Sequence, residues 1–277
     1  MDEYIHISVD FDWIPGSDIP ISRLYEMFAQ YKVKATLFFT GAFAATYPHL
    51  LKQATQGGHE IGCHGLNHGI DINENYGTDV AYDTQKELIR TSGDILAQIT
   101  GEPILCFRAP YLKVCDTTLK VLADLGYRID SSLPARRFDF GCGSINSINQ
   151  FNISCHPHVI TVGQHRLVEI PPSACVVPLN MRMLRTFPFF ICRSFIRLLA
   201  ASHNPLVFYM HPAELAHNKD VTIPEGAYMG FYRNCGPLHF QTLERFLKYL
   251  RHRGIRSENM AHTYFKTVDW APRVCIA

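Results

Sequence analysis

Two histidines, His64 and His68, lie four positions apart in the run GCHGLNH over residues 62–68. If this run forms a helical turn, both imidazoles lie on one face and are suited to a single metal ion. The chain has 14 histidines, so a pair at this spacing is also expected by chance. The spacing alone therefore indicates a candidate metal site and does not establish one.

Two carboxylates, Asp10 and Asp12, flank Phe11 at the end of the first strand-like run. Alternate side chains of a strand point to the same side, so both carboxylates are expected on one face. Two close carboxylates repel each other unless a cation lies beside them. The pair therefore indicates either a cation site or a turn in which one aspartate is a cap and the other is solvated.

Strand-like runs alternate with helical patterns through most of the chain. The predicted strands span 4–10, 34–40, 59–63, 104–107, 127–129 and 206–210, with further extended pieces at 167–170 and 264–268. The predicted helices span 22–30, a stretch ending at residue 56, 78–99, 116–126 and 239–253. This alternation predicts an α/β fold with a parallel sheet. We expect one barrel-like domain over 1–277, with an irregular excursion at about 136–200.

Five of the predicted strands deliver polar or ionisable residues at their carboxyl ends. These residues are Asp10 and Asp12, His64, Arg108, Asp130 and His211. In barrels of alternating strands and helices, active sites assemble at this end of the sheet. The sequence therefore predicts that the five strands contribute to one site.

An ordered set of short motifs accompanies these residues. They are SVDFD at 8–12, GHEIGCHGLNH at 58–68, FRAPY at 107–111, DSS at 130–132 and YMHP at 209–212. The set resembles the five motifs of the polysaccharide deacetylases of NodB homology, carbohydrate esterase family 4. The resemblance covers residues 4–212, and the order of the motifs makes it more specific than any single motif.

The resemblance implies a distorted, incomplete (β/α) barrel that holds one divalent metal ion, usually zinc. The implied metal ligands are Asp12, His64 and His68. The implied catalytic residues are Asp10 as general base, Arg108 as its partner, Tyr111 through its backbone N–H at the oxyanion, His211 as general acid, and Asp130, which orients His211. Phe11 separates the two aspartates where the commonest family pattern has them adjacent, so the roles of Asp10 and Asp12 could be exchanged.

The composition limits the partners of the chain. It has 26 Lys and Arg against 25 Asp and Glu, a net charge of +1, and so lacks the strongly basic field of a duplex nucleic-acid binder. The first residues are acidic and lack the pattern of a secretory signal, and the nine cysteines contain no C-x-x-C pair. We therefore expect a cytoplasmic protein with reduced thiols and no nucleic-acid partner.

A cytoplasmic enzyme of this family is expected to remove an acyl group, N-acetyl in particular, from an amino sugar in a glycan precursor. The stretch 170–213 has no Asp or Glu, and four arginines are interleaved with its aromatic residues. Such a stretch favours a lipid-phosphate-linked substrate over a soluble precursor such as a nucleotide sugar, and it favours peripheral contact with the inner membrane face through 180–201. Two alternatives remain at this point: a non-catalytic carbohydrate-binding relative, and a metal enzyme of other chemistry with a 2-His-1-carboxylate site.

Overall fold

The computed structural model describes residues 4–12, 19–68, 76, 80–136, 153–216, 234–267 and 273–276. The strands are β1 (Tyr4–Phe11), β2 (Ala35–Phe39), β3 (Glu60–Cys63), β4 (Cys106–Phe107), β5 (Ile129–Asp130), β6 (His158–Val162), β7 (His165–Glu169), β8 (Ala174–Cys175), β9 (Val177–Pro178), β10 (Leu206–Met210), β11 (Arg256–Ser257) and β12 (Arg273–Ile276). The helices are α1 (Ile19–Tyr31), α2 (Gly41–Thr46), α3 (Pro48–Gln56), α4 (Tyr82–Thr100), α5 (Asp116–Asp124), α6 (Met181–Thr186), α7 (Phe189–Ala200), α8 (His239–His252) and α9 (Met260–Thr267).

One sheet organises the molecule, with the strand order β10-β1-β2-β3-β4-β5-β7-β6-β12 and with β11 also paired to β1. Its neighbours are parallel except for the antiparallel hairpin of β6 and β7. Among the described strands no ladder joins β10 to β12, so the sheet stays open. The predicted α/β fold, a distorted and incomplete barrel, is confirmed.

The two faces of β1 show how the sequence separates the core from the site. Ile5, Ile7 and Val9 are buried in the larger apolar cluster, which includes residues of the surrounding helices. The alternate residues point to the opposite face, where the Ser8 hydroxyl accepts a hydrogen bond from buried Arg108 at 2.7 Å. The period of two in β1 therefore places its polar side chains inside the curved sheet.

The last helix, α9, corrects an expectation, because 264–267 is helical where the sequence predicts an extended piece over 264–268; residue 268 lies outside the described residues. The Glu60 carboxylate accepts hydrogen bonds from the first backbone N–H groups of the helix, at Met260 (2.8 Å) and Ala261 (3.3 Å). Met260 packs inside the sheet, with Phe38 and Val207 in the same inner cluster. The helix is capped by a carboxylate that lies 200 residues away in sequence. The local sequence pattern of 264–268 does not indicate this distant cap, and it therefore did not predict the helix.

The segment 136–200 also differs from the expected irregular excursion. Residues 137–152 lie outside the described residues, but 158–200 contains the β6–β7 hairpin, the short β8–β9 pair and helices α6 and α7. The hairpin is stabilised by pairing of β7 with β5 and of β6 with β12. Strands of five residues show too little periodicity to be recognised without these distant partners.

Two smaller observations concern helices. Helix α1 begins at or before Ile19, earlier than the start at residue 22 that the sequence predicts. No described helix combines the length and the apolar character that crossing a membrane requires.

Candidate active site

The carboxyl ends of β10, β1, β3 and β4 bring the predicted site residues together. The Asp10 carboxylate lies 2.9 Å from the Arg108 guanidinium. The Nε2 atom of His211 lies 3.9 Å from a carboxylate oxygen of Asp10 and 3.9 Å from one of Asp12. His68 Nε2 lies 3.5 Å from Asp12. The structure therefore assembles one cluster from four strands, as expected for this edge of a barrel.

Arg108 is completely buried and fixes Asp10. Its Nη1 donates to Asp10 Oδ1 at 2.9 Å, while Nε and Nη2 donate to the carbonyl and hydroxyl of Ser131 at 3.0 and 2.8 Å. Burial raises the pKa of Asp10, but Arg108 and the imidazoles of His64 and His211 outweigh burial and leave the pKa below its usual value. Asp10 is therefore an ionised carboxylate in a fixed orientation.

His64 and His68 meet on an irregular loop after β3 and not on a helical turn, which corrects the local geometry assumed from their spacing. Gly65 has φ 75° and His68 has φ 58°, both in the left-handed region. The Ser92 hydroxyl and the Gly41 N–H hold the Gly65 carbonyl at 2.7 and 3.0 Å. The two imidazole centroids lie 5.1 Å apart as a result of this turn.

The electrostatics of the two imidazoles suit metal binding. Burial lowers the pKa of His64 to about 4, and burial together with the charge of His211 lowers the pKa of His68 to about 3. Both rings are therefore neutral near pH 7. The Nδ1 atom of His64 is hydrogen-bonded to the Arg108 carbonyl at 2.8 Å. A ring that donates through Nδ1 presents the lone pair of Nε2 to the site.

In the part of the chain that the structure describes, no three His, Cys, Asp or Glu side chains are gathered as a finished metal centre. The residues nevertheless fit a divalent cation. His64 Nε2 is a buried nitrogen that has no hydrogen-bond partner among the described residues, and Asp12 is a neighbouring carboxylate whose pKa burial raises. A cation bound here would satisfy the nitrogen and favour the ionised carboxylate. The donor set of Asp12, His64 and His68 matches three-ligand sites with an open position.

His211 has a carboxylate neighbour that the sequence analysis missed, Glu214. Glu214 Oε2 lies 3.6 Å from His211 Nδ1 and accepts the backbone N–H of His211 at 3.0 Å. Burial lowers the pKa of His211, but Asp12, Glu214 and Asp10 outweigh burial and raise the pKa to about 9. His211 is therefore a protonated imidazolium near neutral pH. A glutamate three residues after His211, in the spacing of a capping box, was the available sequence signal.

Asp130 contacts Ser132 and Glu169. The carboxylates that act on His211 are Asp12, Glu214 and Asp10, so the predicted role of Asp130 in orienting His211 stays a prediction. Asp130 Oδ1 accepts the Ser132 hydroxyl at 2.5 Å, and Asp130 is paired across the sheet with Glu169, which accepts the Leu133 N–H at 3.1 Å. Burial raises the pKa of both carboxyl groups. Two adjacent buried carboxyls disfavour double ionisation, so the raised pKa values favour the neutral form of one of them.

Tyr111 lies at the rim of the site in the short 3₁₀ turn Pro110–Leu112. Its φ of 59° and that of Leu112, 57°, are in the left-handed region, and such backbone strain is common at functional sites. Its ring centroid lies 4.7 Å from that of His68, and 58% of the residue is exposed. The ring therefore forms a wall of the opening beside the histidines. The role of its backbone N–H stays a prediction.

The chain is similar to known proteins over most of its length. Residues 4–129 match the family model described as Polysaccharide deacetylase, and residues 131–258 match a domain of unknown function, DUF3473. Strand β5 lies in the first segment up to residue 129 and pairs with β7 of the second, so both segments contribute to one sheet.

Two curated bacterial proteins resemble the first segment. One is a peptidoglycan deacetylase of Helicobacter pylori, 28% identical over 118 residues, which are 43% of this chain and 38% of that protein. The other is a peptidoglycan-N-acetylglucosamine deacetylase of Bacillus cereus, 29% identical over 123 residues, which are 44% of this chain and 54% of that protein. The chain thus spans about half or less of each relative.

A solved structure extends the similarity to the whole fold. It is that of a candidate polysaccharide deacetylase from Mycobacterium smegmatis, with a TM-score of 0.70 at 17% identity, covering 100% of this chain and 95% of that one. This likeness shows a shared fold, and the family model together with the two relatives shows that the segment over residues 4–129 is a polysaccharide deacetylase domain of NodB homology.

Proposed function

We propose that this protein is a metal-dependent hydrolase that removes an acyl group, N-acetyl in particular, from an amino sugar. One observation carries the proposal: a carboxylate with a lowered pKa and an imidazole with a raised pKa, Asp10 and His211, lie 3.9 Å apart. A base that stays ionised and an acid that stays protonated at the same pH are what amide hydrolysis requires.

The metal ligands in this proposal are Asp12, His64 and His68, and the ion is zinc. A divalent ion bound there supplies a Lewis acid and lowers the pKa of bound water. The support from the structure is the neutral state of both imidazoles and the buried Nε2 of His64.

The side chains divide the proton transfers between them. Asp10, held by Arg108, takes a proton from the attacking water as the water oxygen bonds to the carbonyl carbon. The Tyr111 N–H is proposed to stabilise the oxyanion. His211 then donates a proton to the sugar nitrogen as the C–N bond breaks, which releases a carboxylic acid and a free amine. The base role needs an ionised Asp10 and the acid role a protonated His211, and the lowered pKa of Asp10 and the raised pKa of His211 favour these states.

The two alternative functions use less of this site. A carbohydrate-binding protein has no need of a buried base and acid with oppositely shifted pKa values. A 2-His-1-carboxylate iron enzyme needs Asp12, His64 and His68, but it does not need Asp10 held by Arg108 beside His211. The hydrolase is therefore the function that uses all the residues of the cluster.

Incubation of the zinc-loaded protein with a panel of N-acetylated saccharides tests the hydrolase. We expect acetate and free amine in equal amounts, and their loss in the control variant His211→Gln. Saccharide binding without acetate release would instead support the carbohydrate-binding alternative. Bound iron together with oxygen-dependent product formation would support the iron enzyme.

We propose further that the substrate is a cytoplasmic glycan precursor carried on a lipid phosphate, reached at the inner membrane face. The surface that supports this proposal is the outer side of the segment α6–α7. Its exposed apolar residues are Phe187, Phe190, Ile191 and Leu198, and its exposed cationic residues are Arg182, Arg193 and Arg197. Cations among apolar side chains favour an anionic lipid surface. Arg185 is buried and does not belong to this surface.

Co-sedimentation with vesicles tests the membrane contact. We expect binding to vesicles that contain anionic phospholipid, and a loss of about thirtyfold or more in the double variant Arg193→Glu/Arg197→Glu, at roughly 1 kcal/mol for each arginine near the surface and with added repulsion from each glutamate. The matched control is Arg251→Glu/Arg253→Glu, which makes the same charge change on exposed residues at the end of α8. Failure of the wild type to sediment, with turnover of a water-soluble acylated sugar, would refute the membrane contact and leave the hydrolase standing.

A further inference from the structure

A buried ion pair lies directly behind His211. Arg185 Nε donates to Glu214 Oε1 at 3.0 Å, and both side chains are 1% exposed. The other oxygen of the same carboxylate, Oε2, accepts the His211 N–H at 3.0 Å and lies 3.6 Å from His211 Nδ1. Glu214 therefore joins a cation on α6 to the main chain and ring of the proposed general acid.

The pair is not explained by stability alone. Removing two charges from water is costly, and a buried ion pair often contributes no more than apolar residues of the same volume. In return, an ion pair with hydrogen bonds on both carboxylate oxygens fixes the carboxylate in one orientation. The geometry points to positioning as the reason for the pair.

Helix α6 is itself anchored to the end of β10, the strand that leads to His211. The Asn180 side chain caps α6 by accepting the Met183 N–H at 2.9 Å, and it donates to the Tyr209 hydroxyl at 3.0 Å. At the other end of the helix, the Asn234 side chain donates to the Arg185 carbonyl at 3.1 Å. Arg185 therefore extends from a helix whose place relative to His211 is defined at both ends.

We propose that Arg185 and Glu214 are positioning residues for His211. Arg185 holds Oε1 of Glu214, so that Oε2 stays on His211 and the ring keeps Nε2 toward Asp10 and Asp12. This proposal rests on the proposed function, in which His211 is the general acid. In this proposal α6 contributes to the reaction through Arg185, although Arg185 and Glu214 act only through His211.

Kinetics of Glu214→Gln test the proposal. The amide keeps the size of the side chain and an acceptor for the His211 N–H but removes the charge. We expect kcat to fall by about tenfold to a hundredfold, less than on loss of the acid itself, with KM unchanged. The charge-neutralising control is Glu87→Gln, in an exposed ion pair with Arg90 on α4, and it should leave kcat unchanged.

A double-mutant cycle separates positioning from a general structural defect. In a His211→Ala background, Glu214→Gln should cost less than about twofold more, because the residue acts through His211. The same fold loss in both backgrounds, or no loss in the wild-type background, would overturn the proposal.

A second variant removes the ion pair as a whole. Arg185→Met alone would leave the buried Glu214 carboxylate without its arginine partner and risk misfolding, so Arg185→Met/Glu214→Met replaces both charges with apolar side chains. This variant should fold and lose as much kcat as Glu214→Gln; full activity in it would also overturn the proposal.

A readout without turnover distinguishes this proposal from the proposed function. The ring ¹H–¹⁵N signals of His211, assigned by their absence in His211→Ala, should shift in Glu214→Gln and in the double Met variant. Shifted signals in a protein that releases no acetate would contradict the hydrolase and retain the positioning of the ring. Unchanged signals in both variants would contradict the positioning whatever the activity.

Discussion

Replacement of Asp10 by Asn is expected to lower kcat for deacylation by about two or more orders of magnitude, the loss typical of removing a general base. The amide still accepts the hydrogen bond from Arg108, but it cannot take a proton from water at neutral pH. Because the proposed ligands are Asp12, His64 and His68, the metal content should stay close to that of the wild type. Acetate release and elemental analysis of the same preparations measure the two quantities.

The matched variant is Asp12→Asn, which removes the neighbouring carboxylate. It should lose most of the bound metal and regain part of its activity in excess zinc. The reverse pattern, with metal loss and zinc rescue in Asp10→Asn, would exchange the roles of the two aspartates. A thermal melt of each variant is needed because Asp10→Asn leaves the Arg108 charge buried beside a neutral partner.

His64→Ala and His68→Ala are each expected to reduce the bound metal from about one ion per chain to near zero, with loss of activity. Each change removes one of three proposed protein ligands, and the two remaining ligands form a much weaker site. Metal content after dialysis and zinc titration of the apoprotein measure the effect. The control is His49→Ala, which removes an exposed histidine on α3 that is outside the proposed ligand set. Retention of both metal and activity in the two variants would refute the site.

The sequence could predict the parts of the site that lie at the carboxyl ends of the parallel strands. Strand β10 has the predicted bounds, Leu206–Met210, and its apolar run is buried on both faces, which made it recognisable. Strand β10 is the neighbour of β1, and β4 is separated from β1 by β2 and β3, so His211 and Asp10 are adjacent and Arg108 joins them at the same edge of a curved sheet. This inference needs only the order of elements and the position of each polar residue at a strand end.

The parts that could not be predicted depend on contacts between distant segments. Asp130 faces Glu169 because β7 returns beside β5, whereas the contact of Glu214 with His211 is local, because a 3₁₀ turn follows β10, and its spacing was a usable signal. The bounds of α9 depend on Glu60 in β3. Local patterns describe a residue's own element and not the residue that the tertiary fold places beside it.

Arg108 links two properties of the site that are often treated as separate. Its carbonyl holds the ring of His64, a proposed metal ligand, while its guanidinium holds Asp10, the proposed base. A shift of the β4 main chain would therefore disturb metal affinity and proton transfer together. Substitutions in the layer around β4 should produce correlated losses of the two properties, and epistasis between ligand and base variants should pass through this single residue.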